Sequence, residues 1–318
     1  MTIRETKTKA KPFNDFTTFL SLHFPYKVQK ISIDAGFNCP NRDGTKGRGG
    51  CTYCNNKSFS PEYDNCTKSV SEQLEKGISF FSHKYASMKY LAYFQSYTNT
   101  YNDIDSLIAL YEEALAYPDV VGLVISTRPD CMSDELLKYL EKINTKHFII
   151  VEYGIESTLN KTLERVNRQH TFEESCETIK KTAQLGIPVG GHMILGLPGE
   201  SYSEIINHAS TLSSLPLTTI KLHQLQIIKG TAMAKEYKLL PDSFHIFDLD
   251  EYVDLCVDFS EQLNPNFYIE RFASQSPKEM LLAPNWGIKN HELTEKIIKR
   301  FKERNTYQGK MYNIEEQI

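Results

Sequence analysis

The chain has no run of about 18 or more apolar residues, the length a membrane span needs, so none is expected. Its opening residues, Met-Thr-Ile-Arg-Glu-Thr-Lys-Thr-Lys, lack the apolar core of a secretory signal. These two absences give the expectation of a cytoplasmic protein. There is no Pro/Gly/Ser linker, no low-complexity tract and no internal repeat. A second close cysteine pair is missing too. Of seven cysteines, only Cys51 and Cys54 form a Cys-x-x-Cys pair. In a reducing compartment, clustered cysteines read as metal ligands and scattered ones as small core residues. Cys131, Cys176 and Cys256 are scattered. Cys176 and Cys256 lie in helical patterns and are expected in the core.

The chain's 318 residues, 40% of them hydrophobic, suffice for one large core or two small ones. Net charge is -4, unevenly spread. Arg4, Lys7, Lys9 and Lys11 face only Glu5 in the first twelve residues, and Lys289 to Lys310 is a second basic run. Such ends can steer a polyanion, or simply form solvated surface.

Strand-like runs recur at Val28 to Asp34, Tyr90 to Ser96, Val120 to Thr127, Phe148 to Ile155, Val189 to Leu195 and Ile220 to Ile228. Several are nearly continuous apolar runs, as in strands buried on both faces. Helical signals lie between them. Thr171 to Glu174 is a capping-box pattern, with Gly186 and Pro188 as stop signals. Repeated β-then-α units imply a parallel sheet with helices outside. Six units are too few for an eight-stranded barrel, so the expectation is an α/β partial (β/α)6 barrel, open on one side. Its site belongs at the C-terminal strand ends. The expected organisation is a basic tail at 1–14, a barrel at 15–240 with a cysteine loop at 35–56, and an extension at 241–318 packed on the barrel. The extension is read as helices plus one strand at Tyr268 to Ala273.

Cys39, Cys51 and Cys54 follow the first strand directly. Three thiolates on a four-iron cluster leave one iron open, and Cys-x-x-Cys lets near neighbours reach one cluster. Gly36, Gly44, Gly47, Gly49 and Gly50 allow a tight loop. Structural zinc is the rival; it takes four ligands, and Cys66 could be the fourth.

The spacing Cys-x11-Cys-x2-Cys and the strand-end motifs resemble the radical S-adenosylmethionine (radical SAM) superfamily, in its Elp3-like branch. The run Val28 to Gly44 is similar to the bacterial YhcC/YtqA-like subfamily. So are Ile269-Glu-Arg-Phe-Ala-Ser and Ala283-Pro-Asn-Trp-Gly. The resemblance implies a radical SAM barrel with a [4Fe-4S] cluster on Cys39, Cys51 and Cys54, and S-adenosyl-L-methionine at the open iron. It implies cofactor contacts residue by residue. Tyr53 and Leu225 lie beside the adenine. Gln95, Thr98 and Asn99, at the second strand's end, hold the methionine amino group. Ser126 meets the cofactor, with Arg128 and Asp130 as contacts or braces. Glu156 faces the ribose hydroxyls, Arg168 pairs with the methionine carboxylate, and His192 points towards the cofactor.

The implied chemistry is reductive cleavage of the sulfonium to a 5′-deoxyadenosyl radical that takes a hydrogen atom from substrate. An electron donor such as flavodoxin or ferredoxin is implied. For the residue that quenches the substrate radical, Tyr97, Tyr101, Cys131 and His223 are candidates, and nothing in the sequence ranks them. The Elp3 resemblance implies tRNA as partner and wobble-uridine modification as the reaction. The alternatives are a small-metabolite enzyme of the porphyrinogen-oxidase kind and a non-catalytic, zinc-stabilised RNA-binding protein.

Overall fold

The computed structural model describes residues 11–58, 60, 61, 66–82 and 88–313. Arg4, Lys7 and Lys9 of the expected basic tail lie outside the described residues. The strands are β1 (Lys27–Ile33), β2 (Met88–Phe94), β3 (Val120–Thr127), β4 (Phe148–Glu156), β5 (Val189–Leu195), β6 (Thr219–Gln224), β7 (Ile227–Ile228), β8 (Tyr268–Arg271) and β9 (Leu281–Ala283). Seven of them form one all-parallel sheet in the order β1-β2-β3-β4-β5-β6-β8. The sheet curls into a half-barrel.

Two details differ from the sequence expectation. The sheet has seven strands rather than six, because β8 from the C-terminal extension pairs with β6. The apolar run Ile220 to Ile228 also splits. Its second half leaves the barrel as β7 and pairs antiparallel with β9. Gln224 and Gln226 mark the break, and both donate through Nε2 to the Ser274 carbonyl.

Period-two alternation gives each strand two different faces. Ile31, Phe94, Ile125, Val151, Met193 and Leu222 point outward into the main core. The helices Ile104–Ala116, Asp134–Asn144, Phe172–Gln184 and Tyr202–Ser213 supply its other side. Their starts are fixed chemically: Asp103, Ser133, Thr171 and Ser201 each accept from the third backbone N–H, and Thr171 and Ser201 form full capping boxes. The inward faces carry Val28, Leu91, Val124 and Ile150 at one end, where the helix Phe16–His23 plugs the barrel. Phe19 of that plug stacks on Phe148 and Tyr268, with centroids at 5.9 and 5.1 Å.

The basic C-terminal run folds as the helix Asn290–Glu303, with Leu293, Ile297 and Phe301 buried. Its arginine does not stand free for a polyanion. Arg300 pairs with Asp254, and just beyond the helix Arg304 pairs with Asp258 at 2.5 Å and Glu261 at 3.3 Å. Those acids lie on the helix Leu249–Gln262. We expect Phe301→Ala to cost about 3–5 kcal/mol of unfolding free energy, since the ring is fully buried against Phe13 and the core. Urea titration checks this, and a loss below about 1 kcal/mol would place the helix outside the cooperative core.

Candidate active site

The cysteine loop leaves β1 at the C-terminal strand ends and folds onto the segment after β4. Thr52 N donates to the Val166 carbonyl at 3.0 Å, Asn41 Nδ2 to the Asn167 carbonyl at 2.6 Å, and Asn167 Nδ2 to the Gly50 carbonyl at 2.8 Å. Gly47 is required here, because a Cβ would stand 2.2 Å from Asn41 Oδ1. Cys51 is buried, Cys39 and Cys54 are half-buried, and all three line one cavity. Among the described residues no group of three His, Cys, Asp or Glu side chains is placed to hold a single metal ion. A four-iron cluster takes its thiolates on separate irons and needs no such convergence. Burial and neighbouring Cys51 push the Cys54 thiol up to about 11. Metal binding must therefore displace that proton. Cys66 is exposed and is not among the cavity-lining residues.

Arg168 stands beside the loop. Its Nη1 reaches Cys51 Sγ at 3.7 Å, and its Nη2 donates to the Gly154 carbonyl at 2.6 Å. Nη2 also lies 3.6 Å from Glu156 Oε1. Its Nε is buried without a partner. Glu156 has a left-handed backbone, φ 71°, where the β4–β5 register shifts. That twist turns its carboxylate back across Gly154, where a Cβ would meet Glu156 Oε1 at 2.6 Å and Arg168 Nη2 at 2.7 Å. Burial raises the Glu156 carboxyl's pKa above its ordinary value, and Arg168 opposes the rise.

Between the cavity and the apolar plug lies a polar layer to which all seven barrel strands contribute one side chain. Glu152 of β4 is its centre, 1% exposed. Its Oε1 pairs with Lys30 of β1 at 2.6 Å. Its Oε2 meets Lys221 of β6 at 2.8 Å, His192 of β5 at 3.0 Å and Ser126 Oγ of β3 at 3.3 Å. Glu270 of β8 bridges the same lysines, at 2.6 Å to Lys30 and 3.0 Å to Lys221. Lys221 also donates to Tyr93 OH of β2 at 3.1 Å. Burial alone would raise the Glu152 carboxyl's pKa, but Lys221, Lys30 and His192 hold it well below the usual carboxylate range. Burial and then Lys221 push His192 down to about 4, so its ring is neutral and donates from Nε2 to the carboxylate.

The three cysteines, Tyr53, Gln95, Thr98, Ser126, Arg128, Glu156, Arg168, His192 and Leu225, all named from the sequence, line this one cavity. Asn99 does not. It is fully buried, and its Nδ2 donates to the Ser126 carbonyl at 2.7 Å, bracing the wall from behind. Arg128 grips Asp130 through two bonds of 2.9 Å, and Lys46 of the cysteine loop pairs with the same carboxylate at 2.6 Å. Tyr97 and His223 line the cavity, whereas Tyr101 and Cys131 do not. Sequence reasoning missed Lys30, Glu152, Lys221, Glu270 and Arg271. The signal was there: charged residues stand at alternate positions inside otherwise apolar strands.

A parallel half-barrel whose first strand runs into a three-cysteine loop, with an arginine–glutamate pair across the cavity, is the architecture of a radical SAM enzyme. Residues 39–212 match the radical SAM superfamily, and residues 217–303 match the radical SAM C-terminal domain. The chain is 34% identical over 302 residues to the uncharacterized protein YtqA of Bacillus subtilis, covering 95% of this chain and 93% of YtqA. It is 22% identical over 187 residues to the tRNA uridine(34) acetyltransferase of Methanocaldococcus infernus, covering 56% of this chain and 33% of that protein. Among solved structures, the archaeal Elp3 of Methanocaldococcus infernus superposes with a TM-score of 0.66 at 15% identity, over 89% of this chain and 64% of that one. The chain belongs to the radical SAM superfamily, whose enzymes use a [4Fe-4S] cluster and S-adenosylmethionine.

Two outcomes follow from the polar layer. Glu152→Gln leaves two buried lysines sharing one carboxylate and should cost about 3–5 kcal/mol in urea unfolding. His192 has a folded pKa of about 4 against 6.5 unfolded. Between those values the unfolded chain holds the proton and the folded chain does not, so stability falls as pH drops from 6.5 towards 4. His192→Asn should shrink that fall by about 3 kcal/mol. An unchanged pH slope would mean the imidazole is solvated.

Proposed function

We propose that this protein is a radical SAM enzyme acting on tRNA, at the side chain of the wobble uridine. The observation that carries the enzyme reading is the single cavity shared by Cys39, Cys51, Cys54 and the Arg168–Glu156 pair. Its donor set fits the cofactors. Three soft thiols suit iron and leave a fourth ligand position open, and Arg168 Nε is a buried donor with nothing to bond.

In this reading Cys39, Cys51 and Cys54 hold the cluster. Arg168 binds the methionine carboxylate of S-adenosylmethionine, for which a planar guanidinium is suited. Gln95 and Thr98 take the amino group, with Ser126 beside them. Glu156 would accept from the ribose hydroxyls, and Tyr53 and Leu225 would lie beside the adenine. The bound cofactor pair supplies one-electron cleavage of the sulfonium and hence a 5′-deoxyadenosyl radical. The protein orients the pair, excludes water and keeps the His192 ring neutral beside Glu152. Tyr97 and His223 are the cavity residues placed to meet a substrate radical. Electrons come from a flavodoxin- or ferredoxin-type donor.

The tRNA assignment draws on the likeness to the tRNA uridine(34) acetyltransferase. The proposed reaction trims a carboxymethylaminomethyl group to an aminomethyl group: a hydrogen atom would leave the methylene beside the carboxylate, the second electron would return to the cluster, and water would cleave the resulting imine to the amine and a two-carbon oxo acid. The expected result in a deletion strain is accumulation of carboxymethylaminomethyluridine in tRNA, read by nucleoside mass spectrometry. An unchanged wobble-uridine profile would remove tRNA from the proposal. For the cofactor site, Arg168→Gln should weaken S-adenosylmethionine binding at least about tenfold in the reconstituted protein, while retaining the cluster. Cys51→Ala should lose the cluster's brown absorbance altogether.

A further inference from the structure

The polar layer balances its own charge, with Lys30 and Lys221 matched by Glu152 and Glu270. Arg271, the next residue along β8, is not matched. It forms no ion pair among the described residues. Its Nη2 donates to His223 Nε2 at 3.0 Å, and its Nε is buried with no partner at all. A guanidinium can only donate, so the imidazole nitrogen that bonds Arg271 is the acceptor; Nη2 lies 3.0 Å from Nε2 and 3.4 Å from Nδ1. Burial, Arg271 and His192 hold the His223 ring well below its ordinary value, which keeps it neutral.

This wall of the cavity therefore offers N–H donors and one uncompensated positive charge. Three other arginines line the cavity: Arg42 donates to the Cys54 carbonyl within the cysteine loop, Arg128 is paired with Asp130, and Arg168 shares the buried, unpartnered Nε but not the lack of a carboxylate. Arg168 touches the cysteine loop and is balanced by Glu156. Arg271 comes from the opposite end of the sheet order and also lines a second cavity with Lys30 and Gln95, on the side where β1 and β8 leave the sheet open. It is thus reachable from the side not occupied by the cysteine loop.

We propose that Arg271, with His223 beside it, is the receptor for a carboxylate on the substrate. Arg271 is half-buried, and a guanidinium with a buried, unpartnered Nε and no carboxylate beside it favours an anion. A carboxylate carries one charge and accepts two parallel N–H bonds from a guanidinium, so it fits both the charge and the fork. A phosphate dianion fits less well, because every other cation of the polar layer already has its carboxylate. The inference rests on the cavity being the radical-enzyme site, and it narrows the substrate class to molecules with an acid group near the reacting carbon. For the tRNA reading, that acid is the terminal carboxylate of the uridine side chain, not the RNA backbone.

The test uses the holoenzyme with its cluster and S-adenosylmethionine, and ligand-observed NMR with three probes: N-methylglycine, its uncharged amide, and inorganic phosphate. The acid should bind at least about tenfold more tightly than the amide and more tightly than phosphate. Arg271→Gln should remove that preference while cluster absorbance and S-adenosylmethionine affinity stay within about twofold of the parent. Arg271→Lys, which keeps the charge, should retain a preference for acid over amide and so guards against misfolding of the glutamine variant. Equal binding of acid and amide, no binding of the acid, tighter binding of phosphate, or a well-folded Arg271→Gln that keeps the preference would each overturn the proposal. Intact acid binding beside an unchanged wobble-uridine profile removes tRNA and leaves the acid receptor standing. The reverse pattern removes only the receptor.

Discussion

Glu152 is the interaction on which the barrel's interior depends. A lone carboxylate with 1% exposure would be neutral or expelled. Here Lys30, Lys221 and His192 converge on it from three different strands. Removing any one partner leaves a buried charge unanswered, so the strands are held to one register by electrostatics as well as by backbone bonds. A one-residue slip in β1 or β6 would send a lysine into the apolar outer core and an isoleucine or leucine into the polar layer. The layer thus specifies an arrangement that apolar packing alone would leave degenerate.

The same layer explains how a half-barrel can hold a cavity that is both deep and dry. Below it, Phe19 and Leu20 of the plugging helix seal the N-terminal end. Across the open side, Lys30 and Glu270 join β1 to β8 through side chains where no backbone pairing exists. Above it, the cavity walls carry imidazoles, hydroxyls and amides, with charge on the Arg168–Glu156 pair, Arg128, Arg271 and the cysteine loop.

Much of this was legible in the linear sequence, and the part that was not has a physical reason. The six parallel strands announce themselves through apolar runs and capped helices, and the cysteine spacing announces the loop. The strand at Tyr268 was legible, but its four residues, Tyr-Ile-Glu-Arg, carry two charged positions, and nothing in them announces a place in the barrel sheet. Its membership of the sheet depends on Glu270 meeting lysines nearly fifty and more than two hundred residues away. Asn99 has a structural role that the sequence does not announce. A polar residue in a strand-end segment reads as a ligand contact, but here the Ser126 carbonyl needs a donor and Asn99 supplies it. Likewise Arg300 and Arg304 read as a basic face, and only tertiary packing reveals the acidic helix that neutralises them.

The position of β8 also changes what the C-terminal residues are for. A segment that merely packed on the outside would add stability and nothing else. Because Tyr268–Arg271 completes the sheet, the chain following it is carried over the cavity mouth, where Arg271, Ser274 and Ser276 join the lining. Ser274 is fixed there by Gln224, through its backbone N and O at 2.9 Å each. The cavity thus takes lining residues from both edges of the sheet. The cysteine loop springs from the edge strand β1, and the unmatched arginine from the edge strand β8. A change in substrate chemistry can then arise on the β8 side while the Cys39–Cys54 loop and its arginine stay as they are.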